Sequence, residues 1–157
     1  MSVQTEFDAW AAKGKDKGME QRHWHTAKHA LGRMPVEAGD RILDLGTGSG
    51  YALRALRETR DAGQGVGIDA SQRMVRNARG YTDDDAVTFL TGDFQSLPFA
   101  DGDFDHVWSM EAFYYATEPE TVLREIRRIV RPGGTFFCAV NFFEESVHTP
   151  GWQEQVG

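Results

Sequence analysis

Apolar positions along this chain switch between two periods. Runs of strand length, Arg41 to Leu45, Gly65 to Asp69, Ala86 to Leu90, Phe104 to Ser109 and Thr135 to Val140, are separated by stretches whose apolar residues recur every three or four positions. That alternation predicts an α/β domain, five parallel strands joined by crossover helices. Tyr51 to Arg60 sets Leu53, Leu56 and Arg57 at helical spacing. The segment after Ser71 puts Met74, Val75 and Ala78 on one face, with Ser71 as its N-cap. From Glu118 to Val130, the residues Val122, Leu123, Ile126, Ile129 and Val130 form an apolar stripe. It opens with Pro119, which a first turn tolerates, and stops at Pro132-Gly133-Gly134. Met19 to about Arg33 reads as an N-terminal helix and Pro35 to Gly39 as the turn into the sheet. The expected organisation is a mobile segment over residues 1–18, a folded domain over 19–140 and a C-terminal remainder over 141–157.

Composition narrows the class. A chain of 157 residues with 40% hydrophobic content matches one ordinary domain. At that size roughly 68–70% of the unfolded chain's surface can be buried, so no covalent staples are needed. The single cysteine, Cys138, excludes an intramolecular disulfide framework and a Cys-rich zinc site, and it fits a reducing, cytoplasmic setting. A net charge of −7 with dispersed acids argues against nucleic acid as a partner, because phosphate binding wants a basic face. No apolar run approaches the roughly 18 residues of a membrane span. The opening MSVQTEFDAW has neither a charged n-region nor an apolar h-region, so membrane insertion is not expected.

The chemistry concentrates at strand ends. Leu43-Asp44-Leu45-Gly46-Thr47-Gly48-Ser49-Gly50 lies between the first strand and the first crossover helix. Glycines at alternate positions allow a sharp turn and close approach of a ligand, while the helix start presents free N–H groups. Nicotinamide-dependent dehydrogenases use a similar loop, so the loop alone leaves the ligand open. Asp69 ends the second strand, where a carboxylate can accept hydrogen bonds from ribose hydroxyls. After the third strand, Asp93 is followed by a Leu97-Pro98-Phe99 turn and an acidic approach to the fourth strand.

Taken in order, LDLGTGSG, GIDAS, TGDFQSLPFADGDFD, VWSMEAFYYA and RIVRPGGTFF resemble the class I S-adenosylmethionine-dependent methyltransferases, in particular the methyltransferase type 11 or ubiquinone/menaquinone-methylase-like group. The matching stretch runs from Ile42 to Phe137. The resemblance implies a Rossmann-like doubly wound sheet in the order 3-2-1-4-5, without the strands 6 and 7 that usually complete it. It implies S-adenosyl-L-methionine as cofactor and S-adenosyl-L-homocysteine as product. It also implies roles: Gly46, Thr47, Gly48 and Gly50 along the methionine and ribose portion, Asp44 toward the ammonium group, and Asp69 on the ribose hydroxyls. Asp93 and the Phe94 N–H would meet adenine, Ala70 and Met74 would give it apolar contact, and Ser109 and Met110 would border the sulfonium end.

Other residues invite readings of their own. Asp101, Asp103 and Asp105 are spaced like a cation loop, yet the glutamate such a loop needs is missing, and no metal is expected. His25 and His29 share a helix face without a third ligand in sequence, which reads as a solvated helix side. His23 or Trp24 would touch the ligand if the N-terminal helix folds over the cofactor mouth. Phe113, Tyr114 and Tyr115 would face either the substrate or the core, and Phe142 and Phe143 would form a hydrophobic edge.

Methyl transfer from a sulfonium is a direct displacement, so alignment and exclusion of water matter more than a protein nucleophile. A general base is needed only for a protonated acceptor, and Glu111, Tyr114, Tyr115 and His148 are candidates by position. The expected activity is methyl transfer to a small-molecule acceptor. The alternative is a module or truncated fragment that binds the cofactor without catalysis. The open edge of the fifth strand leads to the expectation of a homo-oligomer that covers it.

Overall fold

The computed structural model describes residues 3–140. Two helices, α1 (Val3–Ala12) and α2 (Lys15–Leu31), precede a five-stranded sheet. Its strands are β1 (Ile42–Leu45), β2 (Gly65–Asp69), β3 (Val87–Thr91), β4 (Phe104–Met110) and β5 (Val130–Ala139), in the order β3-β2-β1-β4-β5, with every pairing parallel. The crossovers are α3 (Tyr51–Arg60), α4 (Gln72–Tyr81) and α5 (Pro119–Ile129), with a short 3-10 turn, η1 (Phe113–Tyr115), after β4. Chain order runs outward from β1 on one side, then resumes on the other with β4. This creates a crevice at the carboxyl ends of β1 and β4, where doubly wound sheets take their ligands.

Both faces of the sheet are covered, so β1 and β2 are buried at every position rather than alternating. Ile42 and Trp108 pack on one face with Ala27, Leu31, Leu53 and Leu56. Leu43, Leu45, Ile68 and Val107 pack on the other with Val122, Ile126 and Ile129. Asp44 lies between Leu43 and Leu45, and strand alternation therefore turns it to the Ile42 side.

Ser71 caps α4 as expected, its side chain accepting from the Met74 N–H at 3.1 Å. Three local features differ from the sequence reading. Leu123, placed in the apolar stripe of α5, is 46% exposed. Val130, placed in the same stripe, begins β5 instead, pairing with Phe104, and Pro132-Gly133-Gly134 forms a bulge before Thr135 pairs with His106. Gly133 takes a left-handed φ of 83° there, which a bulge accepts readily from glycine. Finally, a helix occupies Val3–Ala12, and the next starts at Lys15 rather than Met19. Asp8 fixes α1 to the start of α4, accepting from the Ser71 hydroxyl and from the Arg73 N–H.

Candidate active site

The carboxyl ends of the strands and the N-terminal helices enclose a cavity of about 700 Å³. Its floor is the glycine loop. Gly46 and Gly48 adopt left-handed φ values of 78° and 54°, a conformation that costs a side-chain-bearing residue energy. The loop is tied to β2 through the Gly46 and Thr47 N–H groups, which donate to the Ile68 carbonyl at 2.8 and 3.1 Å. Space is also restrictive: a Cβ on Gly46 would meet that of Ala112 at 2.2 Å, whereas one on Gly48 would meet nothing within 4 Å.

Three acids line the floor. Asp44 is buried and accepts from Thr47 Oγ1 at 2.8 Å. Burial pushes its carboxyl up to about 7, the Asp69 charge adds to that, and the Thr47 bond opposes it. Asp69 accepts from the Gly48 N–H at 3.0 Å and the Ser71 N–H at 2.9 Å, one on each oxygen. Burial still holds its carboxyl above the usual range. Each Asp69 oxygen keeps a second lone pair for a ligand hydroxyl. Asp93 is exposed at the cavity rim, one oxygen accepting from the Gln95 N–H at 2.9 Å.

Ala70, Met74, Thr47, Phe94 and Met110 also line the cavity, as do Glu111 and Tyr115. Gly50, Ser109 and Tyr114 do not. Gly50 precedes α3 at a φ of 79°, and a Cβ there would strike Phe89 at 2.6 Å, so its place is conformational. Ser109 points back into the sheet, its buried hydroxyl donating to the Leu45 carbonyl at 3.0 Å. Tyr114 donates to Glu111 Oε2 at 3.0 Å from behind the cavity wall. His23 reaches the cavity, while Trp24 is 41% exposed and packs edge-on to Tyr51. His25 and His29 meet edge-on on the exposed side of α2. His148, Phe142 and Phe143 lie outside the described residues.

The roof was less legible. Phe7 of α1 meets Tyr115 edge-to-face at 5.2 Å across the mouth. Glu20 of α2 accepts from the Ser49 hydroxyl at 2.7 Å and from Arg54 at 3.2 Å, and pairs with Lys17 at 2.9 Å. Asp16 accepts from Asn77 at 2.9 Å and Tyr81 at 3.0 Å. A sequence signal existed: Asp16, Glu20 and His23 fall at intervals of four and three, a polar stripe on one helix face. Tyr51 adds a buried hydroxyl with no hydrogen-bond partner among the described residues, and burial keeps it protonated well above its usual range.

This donor and acceptor set fits S-adenosylmethionine. Carboxylates suit its ammonium, ribose diol and adenine amine.

The methyltransferase domain family model matches residues 43–138. The chain is 36% identical over 120 residues to 27-O-demethylrifamycin SV methyltransferase of Amycolatopsis mediterranei, covering 74% of this chain and 44% of that protein. It is 33% identical over 119 residues to a sterol 24-C-methyltransferase of Aspergillus fumigatus, covering 73% and 30%. The chain thus spans less than half the length of these curated relatives. Among solved structures, it superposes with a TM-score of 0.90 and 68% identity on a chain of the complex between the Haloferax volcanii Trm112 methyltransferase activator and a protein assigned as a methyltransferase. That match covers 98% of this chain and 68% of the other.

The complex corrects the expectation about partners, a small-molecule acceptor with a second copy of the chain as the one macromolecule. A chain this similar assembles with a different protein. An open strand edge presents backbone donors and acceptors that any strand can meet, so the edge alone does not select a second copy of the same chain. No described helix is long and apolar enough to cross a membrane. The glycine loop, the acids at consecutive strand ends and a family match over most of the sheet agree, and this chain belongs to the methyltransferase domain family of class I S-adenosylmethionine-dependent methyltransferases.

Proposed function

We propose that this protein transfers a methyl group from S-adenosylmethionine to a small-molecule acceptor by direct displacement, in the cytoplasm and alongside a protein partner of the Trm112 activator kind. The observation that carries the reading is the gathering of Asp44, Asp69 and Asp93 around one glycine loop in a single cavity of about 700 Å³. Asp69 would hold the ribose hydroxyls, Asp93 the adenine amine and Asp44 the ammonium. The cofactor supplies a methyl on a sulfonium leaving group, so the protein's task is to align the acceptor and keep water out. Phe7, Met19 and Tyr115 at the mouth serve that exclusion. The relatives' acceptors, a rifamycin precursor and a sterol by name, support a small organic acceptor. The partner rests on the 68% identical chain.

Calorimetry tests the cofactor first. S-adenosylmethionine and S-adenosylhomocysteine are expected to bind at micromolar concentration and NADH not at all; the reverse pattern overturns the reading. Turnover is then read as S-adenosylhomocysteine formed against an acceptor panel, with and without a Trm112 protein. A second reading, cofactor binding without turnover, follows from the chain's span of its relatives. Binding with no product under any of these conditions would select it.

A further inference from the structure

The strands β3, β2, β1 and β4 lie side by side and run the same way, so their carboxyl ends form a row with a step of about 4.8 Å. Each end carries an acid that lines the cavity: Asp93 after β3, Asp69 at the end of β2, Asp44 within β1 and Glu111 directly after β4. The first three are accounted for by adenine, ribose and ammonium. The fourth directly follows Met110, which the family resemblance sets beside the sulfonium, and nothing in the proposed function uses it.

Glu111 is held there at a cost. Its φ is 52°, a left-handed value that a residue with a Cβ avoids. Strain of this kind persists where the surroundings over-determine it. Here the Glu111 N–H donates to the Ala139 carbonyl at 2.9 Å, and Tyr114 donates to Oε2 at 3.0 Å. The following residue, Ala112, abuts the glycine loop, since a Cβ on Gly46 would sit 2.2 Å from its own. The backbone that carries Glu111 is thereby held against the glycine loop, in the same cavity. His23, from α2, lines the same cavity; burial holds its imidazole below the usual range, the Glu111 charge opposing that shift.

We propose that Glu111 takes the proton the methyl acceptor loses, which assigns the acceptor to molecules methylated on a proton-bearing oxygen or nitrogen. This rests on the methyltransferase reading above. The acceptor's lone pair forms the new bond to the methyl carbon as the carbon–sulfur bond breaks, its electron pair remaining on a now neutral sulfur. The proton from the oxygen or nitrogen passes to the Glu111 carboxylate. The positive charge lost at sulfur is matched by the negative charge neutralised at the carboxylate. Tyr114 is a positioning residue in this scheme.

Sinefungin tests the assignment without knowledge of the acceptor, because it carries a primary ammonium where the cofactor carries its methyl. By calorimetry on the full chain at pH 7, Glu111→Gln is expected to weaken sinefungin at least tenfold, the loss of one charge-assisted hydrogen bond. S-adenosylhomocysteine, with no group at that position, should change less than twofold. Glu111→Gly, which suits the left-handed φ, is the second variant and should show the same selective loss. Equal weakening of both nucleosides, or weakening of neither, overturns the proposal. So does an acceptor screen in which only a thioether or a tertiary amine is methylated. Failure of the wild-type chain to bind either nucleoside instead overturns the methyltransferase reading itself, and this proposal with it.

Discussion

The cavity has two walls built on different principles. The floor is made of strand ends and the glycine loop, and backbone N–H groups hold it: Gly46 and Thr47 donate to the Ile68 carbonyl, Gly48 and Ser71 to the Asp69 carboxylate. The roof is made of α1 and α2, and side-chain carboxylates hold it: Asp8 on the start of α4, Asp16 on Asn77 and Tyr81, Glu20 on Ser49 and Arg54. A floor fixed by sheet register moves only if the sheet does. The roof rests on separate side-chain contacts, each of which can be lost without disturbing the sheet. Binding geometry and access are thereby assigned to different parts of the molecule.

The sharpest break of that contrast is in the floor. Asp69→Ala removes two acceptor positions for the ribose and orphans the Gly48 and Ser71 N–H groups. It should weaken S-adenosylhomocysteine at least a hundredfold by calorimetry, two charge-assisted bonds being lost. A loss under fivefold would mean that Asp69 serves only to shape the loop.

A smaller effect comes from Asp44. Its folded carboxyl is pushed up to about 7 from the usual carboxylate range. The folded chain therefore holds a proton that the unfolded chain releases near pH 4. The contribution of this residue to stability is complete below about pH 4 and is lost as pH rises to about 7. Denaturant melts at the two ends of that window should show Asp44→Asn gaining on the wild type as pH increases. A cationic ligand prefers the ionised carboxylate, so cofactor affinity should rise about tenfold between pH 5.5 and 7 in the wild type and stay flat in the variant.

The smallest effect is in the roof. Its bonds to Ser49 and Lys17 and the charge of Arg54 hold the Glu20 carboxyl below its usual range against burial. Glu20→Gln should cost roughly 0.5 kcal/mol of stability and weaken the cofactor two- to threefold. Both losses should shrink in 1 M salt, where screening acts within about 3 Å. If the floor variant proved as salt-sensitive as the roof variant, the two walls would not differ as described.

How far the sequence reaches follows the same division. β2 and α3 end where periodicity puts them, and the Ser71 cap is a local pattern with a local cause. The floor acids were legible because each lies at or within two residues of a strand end: Asp44 one before the end of β1, Asp69 last in β2 and Asp93 two after β3. Pro132-Gly133-Gly134 was ambiguous because helix stops and strand bulges recruit the same residues; only the pairing of Val130 with Phe104 separates them. Ser109 and Gly50 were read as ligand contacts, but strand alternation and the Phe89 ring give them other surroundings. Helix α1 is anchored through Asp8 to residues more than sixty positions away, a tertiary fact with no local trace.

The near-collision of Gly46 with Ala112 carries one more consequence. Because the two positions share a single small volume, they are not free to drift independently. A methyl group gained at the first has to be met by one surrendered at the second, or the loop bearing Glu111 must back away from the glycines. In a set of related sequences these sites should therefore covary in size, and the pair acts as a molecular feeler gauge for how closely the acceptor side approaches the cofactor side.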